Sequence, residues 1–199
     1  NAASTVLRPI LPMPSPRRAA LILVLLALLV LLSIVLALLV GSLQVTPAEL
    51  WAAVTGSASG SGGLVLELRL PRALAAFACG ALLALAGALM QVLLRNPLAD
   101  PYVLGISGGA GVGAMSGLFF GLSLWAVDAL AFAGALLAML TVFGLARGDG
   151  SWTQTRLLLT GVIVAAGCGA LIALMLSLAE DGRVHGMLFW LMGDLGQTF

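Results

Sequence analysis

The order of apolar and polar positions divides this chain into long apolar runs joined by short polar segments. The first run, Ala19–Val40, exceeds the roughly 20 apolar residues that an α-helix needs to cross a bilayer core of about 30 Å. It follows Arg17 and Arg18, and it is too long and too rich in leucine for the apolar core of a cleaved signal peptide. We therefore expect a retained membrane span after the segment 1–18.

The later apolar runs predict four further spans. Ala73–Leu94 is the second span, and Leu157–Leu178 is the fifth. Val103–Leu145 is too long for one crossing and is predicted to break at Ser123–Asp128, which gives the third and fourth spans. Gly186–Phe199 begins a sixth apolar segment. The pattern predicts an all-α, polytopic transmembrane helix bundle, with residues 19–199 as the N-terminal part of one membrane domain.

The polar segments carry local structural signals. Thr46, Pro47 and Glu49 predict a helix start, with threonine as the N-cap, proline in the first turn and glutamate completing a capping box. The glycine- and serine-rich stretch Gly56–Gly63 is typical of a flexible loop. The polar residues Glu180–Arg183 predict another loop before the last apolar segment.

Composition and charge support a membrane location. The chain is 61% hydrophobic and 9% charged, whereas a soluble domain carries about 25% charged residues. One side of the predicted bundle holds Arg8, Arg17, Arg18, Arg95, Arg147 and Arg156, and the other holds Arg69, Arg72 and Arg183. Because cytoplasmic loops are enriched in arginine and lysine, this excess predicts that the N-terminal segment 1–18 is cytoplasmic.

The few polar residues exclude several functions. A net charge of +1 gives no basic footprint for nucleic acid. No Asp, Glu, Arg or His lies deep within a predicted span, which argues against a proton- or ion-coupled carrier and against an intramembrane enzyme. Cys79 and Cys168 lie singly in apolar runs, without the spacing of a metal or redox pair. The sequence predicts no catalytic residue, no metal site and no cofactor.

A glycine repeat marks the third predicted span. The repeat comprises Gly105, Gly109, Gly113, Gly117 and Gly121. Four residues turn an α-helix by about 400°, so these glycines are predicted to form one slowly drifting stripe. A stripe without side chains lets a neighbouring helix approach closely. Helix packing alone explains such a stripe, and a thin or sliding helix beside a wide substrate path is the alternative.

Several motifs follow one another in order between Val45 and Gly193. They are Arg69-Leu70-Pro71-Arg72, then Gly80, Gly87 and Gln91, then Asn96-Pro97-Leu98-Ala99-Asp100-Pro101, then Leu104-Gly105-Ile106-Ser107-Gly108-Gly109-Ala110, and finally Arg156–Gly161 and Trp190–Gly193. Together they resemble the permease family of the vitamin B12, haem and ferric-siderophore ABC importers. The block from Asn96 to Pro101, with its glycine-rich continuation, is the most specific of these motifs.

The resemblance implies a fold of about ten spans in the full family, of which this chain carries the N-terminal half. It also implies a non-enzymatic permease of the bacterial inner membrane that moves a large metal chelate from periplasm to cytoplasm. The implied partners are a second permease copy, two ATP-binding subunits, a periplasmic substrate-binding protein and membrane lipid. The chain has no Walker motif, so ATP is expected to bind another subunit.

The resemblance implies roles for individual residues. Arg69 and Arg72, on the predicted periplasmic face, are expected to dock the substrate-binding protein, and ordinary snorkelling arginines are the alternative. Gln154 and Thr155 are expected at the cytoplasmic gate, where a plain loop is the alternative. The pathway is expected to be lined by Val162, Ala166, Gly169 and Ala173, together with Leu188–Gly193.

Two further features have local interpretations. Asn96, Pro97, Asp100 and Pro101 predict a rigid structural turn between the second and third spans, because each proline favours extended backbone before it. His185, the only histidine, is a transient haem ligand in one interpretation and an ordinary loop residue in the other. The alternatives to an ABC permease are a secondary transporter or channel subunit and a purely structural membrane subunit.

Overall fold

The computed structural model describes residues 15–41, 45–56, 63, 65–147, 153–193 and 195. Most of these residues are helical and no strand occurs among them, so the predicted all-α class is confirmed. They form two compact units, one ending at Ala76 and the other spanning Phe77–Gln197. Most of the predicted N-terminal segment and the centre of the predicted loop Gly56–Gly63 lie outside the described residues.

The described helices follow one another with short connections. They are α1 (Pro16–Leu39), α2 (Pro47–Val54), α3 (Leu70–Leu93), α4 (Ile106–Phe119), α5 (Leu124–Ala146), α6 (Gln154–Leu178) and α7 (Asp181–Met192). A π-helical turn, Val65–Arg69, runs into α3, and a 3-10 turn, Pro101–Leu104, precedes α4. Within the described ranges, four helices are long and apolar enough to cross a membrane: α1, Val65–Leu93, α5 and α6.

The first unit contains α1, α2 and the start of α3. The Thr46 hydroxyl accepts a hydrogen bond from the Glu49 backbone N–H at 3.3 Å, and the Glu49 carboxylate accepts one from the Thr46 N–H at 2.8 Å. This reciprocal pair confirms the predicted capping box at the start of α2. A small buried cluster of Leu38, Val45 and Val65 forms the core of the unit.

The second spanning helix begins earlier than the sequence predicts. The expected start was Ala73, but helical structure is continuous from Val65. Val65 is fully buried, and this burial holds a turn that also contains Glu67 and Arg69. Arg69 and Arg72, which are expected just outside the second span, therefore lie in helical structure that continues into it, Arg69 at the end of the π-helical turn and Arg72 in the first turn of α3.

The third predicted span is shorter than expected, and its break comes earlier than Ser123–Asp128. Helix α4 has 14 residues and ends where Gly121 adopts a left-handed conformation, φ 66°. The Leu122 N–H donates to the Gly117 carbonyl and the Gly121 N–H to the Leu118 carbonyl, which is the Schellman pattern of a helix end. The residues predicted to form most of the break therefore lie in the first turns of α5.

Glu180–Arg183 is not a loop, which corrects a further prediction. Glu180 occupies the N-cap of α7, and Asp181 lies in its first turn. An acidic residue in a first turn interacts favourably with the positive end of the helix dipole. Met187, which is fully buried, anchors α7 to the helices before it, so the segment is helical despite its polar composition.

The second unit is built around α4, which packs against α5, α6 and α7. Its core has two buried clusters at opposite ends of these helices. The inner cluster, at the predicted cytoplasmic end, contains Met90, Leu94, Leu104, Val142, Ala146 and Leu157. The outer cluster, at the other end, contains Ala114, Met115, Val127 and Met187.

Candidate functional site

One face of α4 is pressed directly against α5. A Cβ atom added at Gly109 or Gly113 would lie against the carbonyl oxygen of Gly134 or Leu130, far inside the 3.0 Å that real Cβ atoms keep. At Gly117 it would lie 3.0 Å from the Val127 Cγ2. Backbone therefore meets backbone along this contact, as small residues allow in membrane helix pairs.

A second glycine face of α4 meets α6. An added Cβ would lie 2.9 Å from the Cys168 Cβ at Gly108, and 2.8 Å from the Ile172 Cδ1 at Gly111. Just before the helix, Gly105 has φ 70° and approaches the backbone of α6. Within α6, Gly161 has no side chain and therefore leaves room for the Val103 carbonyl. Helix α4 is therefore held between two neighbours at close range.

The predicted single stripe is wrong at its two ends. Gly105 and Gly121 lie outside α4, each with a positive φ that favours glycine. The stripe prediction also missed Gly108 and Gly111, which contact α6, and Gly134 on the facing side of α5. The spacing of three residues through positions 105, 108 and 111 was the available signal for the second face.

The residues predicted to line a pathway share one side of α6. Val162, Ala166, Gly169 and Ala173 are all exposed, and an added Cβ at Gly169 would meet nothing within 4 Å. Buried Leu157 and Gly161 mark the packed side of the same helix. The exposed side is thus a smooth wall of small apolar groups that carries no charge.

The predicted gate residues lie at the start of α6. Gln154 and Thr155 lie in its first turn and are exposed, and Thr153 forms the N-cap. The Thr153 hydroxyl accepts a hydrogen bond from the Arg156 N–H at 3.4 Å. The two side chains therefore extend from a helix end rather than from a loop, at the end of the unit marked by the inner cluster.

The turn between α3 and the 3-10 helix is fixed by its own polar side chains. The Asn96 Oδ1 accepts a hydrogen bond from the Leu98 N–H at 2.9 Å, and the Asp100 Oδ1 accepts one from the Tyr102 N–H at 2.8 Å. Pro97 and Pro101 each follow one of these residues. Both polar side chains are exposed and are hydrogen-bonded within the turn itself.

Arg69 binds the end of α1. Its Nη1 donates to the Leu38 carbonyl at 2.7 Å and to the Leu39 carbonyl at 3.4 Å. An added Cβ at Gly41 would lie 2.8 Å from the Arg69 Nη2, so the glycine leaves room for the guanidinium. Arg72, the other predicted docking residue, is exposed.

Arg183 makes the equivalent contact at the end of α4. Its Nη1 donates to the Phe119 carbonyl, and its Nε lies 3.5 Å from the Glu180 carboxylate. His185 lies two residues further along α7, with its ring 5.3 Å from the ring of Phe189. The described residues contain no group of three or more His, Cys, Asp or Glu side chains that could hold a metal ion.

Comparison with known proteins identifies the family. Residues 28–198 match the FecCD transport family model. The chain is 39% identical over 174 residues to the vitamin B12 import system permease protein BtuC of Salmonella paratyphi A, covering 86% of this chain and 51% of that protein. The same values hold for BtuC of Salmonella typhi. The chain therefore spans about half the length of these relatives.

A solved structure has the same fold. A metal-chelate type ABC transporter in an inward-facing conformation superimposes with a TM-score of 0.73 and 28% identity. The match covers 89% of this chain and 53% of that one. With its long apolar helices, the chain is a multi-pass protein of the bacterial inner membrane, and it belongs to the FecCD transport family.

Proposed function

We propose that this chain is part of the membrane-spanning permease subunit of an ABC importer for large metal chelates. The observation that carries the proposal is the uncharged exposed side of α6, in a bundle locked by backbone contacts and built on the FecCD fold. The chain itself performs no catalysis. ATP hydrolysis takes place on two separate ATP-binding subunits, and a periplasmic substrate-binding protein delivers the cargo.

The wall formed by α6 suits a bulky chelate. Ala166 and Gly169 present almost no side chain, and Val162 and Ala173 add only short aliphatic groups. Such a surface accommodates a large ligand without the strong polar contacts that would slow its release. Two copies of the subunit face each other, so that the walls enclose a central path between periplasm and cytoplasm.

The glycine contacts supply the stiffness that transport requires. Gly109 and Gly113 bring the backbones of α4 and α5 together, and Gly161 does the same for the start of α6. Packed cores have discrete arrangements and do not deform continuously. The bundle of α4, α5 and α6 therefore moves as one body when partner subunits bind ATP, and Gln154 and Thr155 close the cytoplasmic end.

Docking of the substrate-binding protein uses the arginines near the start of α3. Arg72 is exposed and contributes a direct contact with acidic groups of the binding protein. Arg69 is anchored to the α1 carbonyls, so it contributes its charge from a fixed position. Exposed charges of this kind mainly set the orientation and rate of docking.

Transport by reconstituted protein tests the proposal. The subunit is placed in liposomes with its ATP-binding partners, and uptake of cobalamin, haem and a ferric siderophore is measured from the loaded binding protein. We expect ATP-dependent uptake of one of these chelates. Uptake that persists without ATP but collapses with the proton gradient would show a secondary transporter instead.

A matched pair of variants locates the path. Ala166→Trp places a bulky ring on the proposed wall and should abolish uptake. Leu174→Trp places the same ring at an exposed position on a different side of α6 and should leave uptake unchanged. Equal uptake by the two variants would exclude this side of α6 as a pathway wall.

A further inference from the structure

Three arginines surround the inner cluster, and their side chains have no partner within the described chain. Arg95, Arg147 and Arg156 are all exposed, and no side-chain hydrogen bond or ion pair of theirs occurs among the described residues. Each adjoins a buried member of the inner cluster in sequence. Those members are Leu94, Ala146 and Leu157. The ends of α3 and α5 and the start of α6 thus each place one arginine next to the same buried cluster.

Their proximity follows from the packing of the cluster. Helices α5 and α6 contact each other, and packed helices lie about 8–10 Å apart. Leu94, at the end of α3, is buried in the same cluster as Ala146 and Leu157. An arginine side chain is long enough to turn toward a ligand shared with its neighbours. The three positive charges can therefore act on one anionic group.

The described carboxylates do not neutralise this charge. In the described part of the second unit, Asp100 is the carboxylate at this end, and its Oδ1 already accepts the Tyr102 N–H. Asp128, Glu180 and Asp181 belong to the opposite end, beside the outer cluster. The described surface around the inner cluster is thus positive in excess.

Arg95 is held in a conformation that arginine rarely adopts. Its φ is 46°, at the position where a helix end normally has glycine. The Arg95 N–H donates to the Val92 carbonyl and the Asn96 N–H to the Gln91 carbonyl, which completes a Schellman pattern. A residue other than glycine is strained in the left-handed conformation, and such strain is often retained at functional positions.

Exposed aliphatic side chains lie within one helical turn of these arginines, toward the middle of each helix. Val92 is 77% exposed, Leu145 is 68% exposed and Leu159 is 59% exposed. Each lies within three residues of one arginine, toward the middle of its helix. The surface therefore places an apolar zone directly beside a cationic zone, in the order in which a phospholipid presents its acyl chains and its phosphate.

We propose that Arg95, Arg147 and Arg156 form a binding site for the phosphate of an anionic phospholipid in the cytoplasmic leaflet. Guanidinium groups bind phosphate oxygens through paired, charge-assisted hydrogen bonds. Basic surfaces between membrane helices on the cytoplasmic side are suited to anionic headgroups. The acyl chains lie along the exposed side chains of α3, α5 and α6, and the lipid joins these helix ends from outside.

Native mass spectrometry of the purified protein in a non-ionic detergent tests this site. The protein is titrated with diphosphatidylglycerol, phosphatidylglycerol and zwitterionic phosphatidylethanolamine. We expect the two anionic lipids to bind in preference to the zwitterionic one. Since each basic residue near an anionic surface contributes about fivefold in affinity, Arg147→Gln/Arg156→Gln should lower affinity for diphosphatidylglycerol by roughly 25-fold.

A charge-matched control distinguishes binding at this site from general attraction between the protein and anionic lipid. Arg17→Gln/Arg18→Gln removes the same charge from the start of α1, on the same predicted side of the membrane, and should change affinity by less than about threefold. Equal losses in the two double variants would overturn the proposal, because they would show attraction to the whole leaflet. Unchanged lipid affinity with loss of a bound soluble subunit would also overturn it, in favour of a protein partner.

Arg95→Gly separates binding from folding. Glycine relieves the left-handed strain, so the unfolding temperature should stay the same or rise. Affinity for diphosphatidylglycerol should nevertheless fall about fivefold. A variant that is more stable and binds the lipid as well as the original protein would exclude Arg95 from the site.

Discussion

Helices α1 and α4 are both strongly apolar, yet they use their surfaces in opposite ways. In α1, Leu38 is the only buried residue, and the leucines of its middle are more than half exposed. The shorter α4 buries Gly109, Gly111 and Gly117 together with two larger residues. Apolarity brings both helices into the bilayer, but in lipid it does not distinguish one helix neighbour from another. Small residues make that distinction in α4, because they let backbones touch.

The two helices nevertheless end in the same way. The last carbonyls of α1 accept hydrogen bonds from Arg69, and a last carbonyl of α4 accepts one from Arg183. The end of a helix carries unsatisfied carbonyls and a partial negative charge. An arginine from a later segment satisfies both needs, at the end of each helix that is predicted to face the periplasm.

The largest expected effect comes from adding one methyl group between α4 and α5. Gly113→Ala would place a Cβ against the Leu130 carbonyl, and neither backbone can yield without separating the helices. We expect a loss of about 3 kcal/mol in the free energy of unfolding. The unfolding midpoint of the purified protein measures this loss.

Gly144→Ala is the control for that change. Gly144 lies in α5, where an added Cβ meets nothing within 4 Å, and alanine is the better helix former. This variant should be neutral or slightly stabilising. Equal destabilisation by both changes would mean that the glycines act through helix propensity and not through packing.

Removal of the Arg69 contact should have the next largest effect. Arg69→Met keeps the apolar stem but removes every donor, and two carbonyls of α1 lose their partner. Hydrogen bonds to charged groups contribute about 1.5–3 kcal/mol, so we expect a loss of about 2 kcal/mol. Arg18→Met is the control near the start of α1. A loss of binding-protein docking without any loss of stability would contradict the anchoring role.

Arg183→Met should cost less, about 1 kcal/mol, because its contact is more exposed to solvent. The loss should be concentrated in α7, where hydrogen exchange of the backbone amides should become faster. Glu180→Gln removes the exposed ion pair but keeps the contact with the Phe119 carbonyl, and should leave exchange nearly unchanged. Faster exchange in both variants would assign the effect to the ion pair.

The smallest effect is expected in the middle of α1. Leu29 is 60% exposed, so Leu29→Ala should change the free energy of unfolding by no more than about 0.5 kcal/mol. Met115→Ala in α4, at a fully buried position, should cost about 2 kcal/mol. A comparable loss at Leu29 would show that another helix covers α1 in the complete assembly.

Much of the fold was predictable because it depends on local sequence or on transfer into lipid. The capping box of Thr46 and Glu49 joins residues three positions apart, and the apolar runs correspond to helices because length and hydrophobicity suffice for a span. The family motifs around Asn96 also pointed to the correct family. The helix boundaries near Arg69 and Glu180 were missed, because burial of Val65 and Met187 decided them.

For the candidate site, the sequence predicted which residue types are present but not which helices they contact. A repeat of glycines indicated close packing, but it did not show that α4 carries two such faces, because the partners on α5 and α6 are distant in sequence. The exposed side of α6 could be proposed as a wall from helical spacing and family resemblance. The positions of Gln154 and Thr155 in a helix turn came from the structure.

By itself, the sequence determined that this chain lies in a bilayer and which segments are apolar enough to cross it, and it predicts how the arginines divide between the two sides. These properties depend on the free energy of transferring each residue from water to lipid. The tertiary structure decided which groups the arginine side chains contact. Arg69 and Arg183 reach carbonyls 31 and 64 positions away in sequence, whereas Arg95, Arg147 and Arg156 are exposed residues next to members of one packed cluster. Such contacts join segments that are distant in sequence, so local sequence patterns do not predict them.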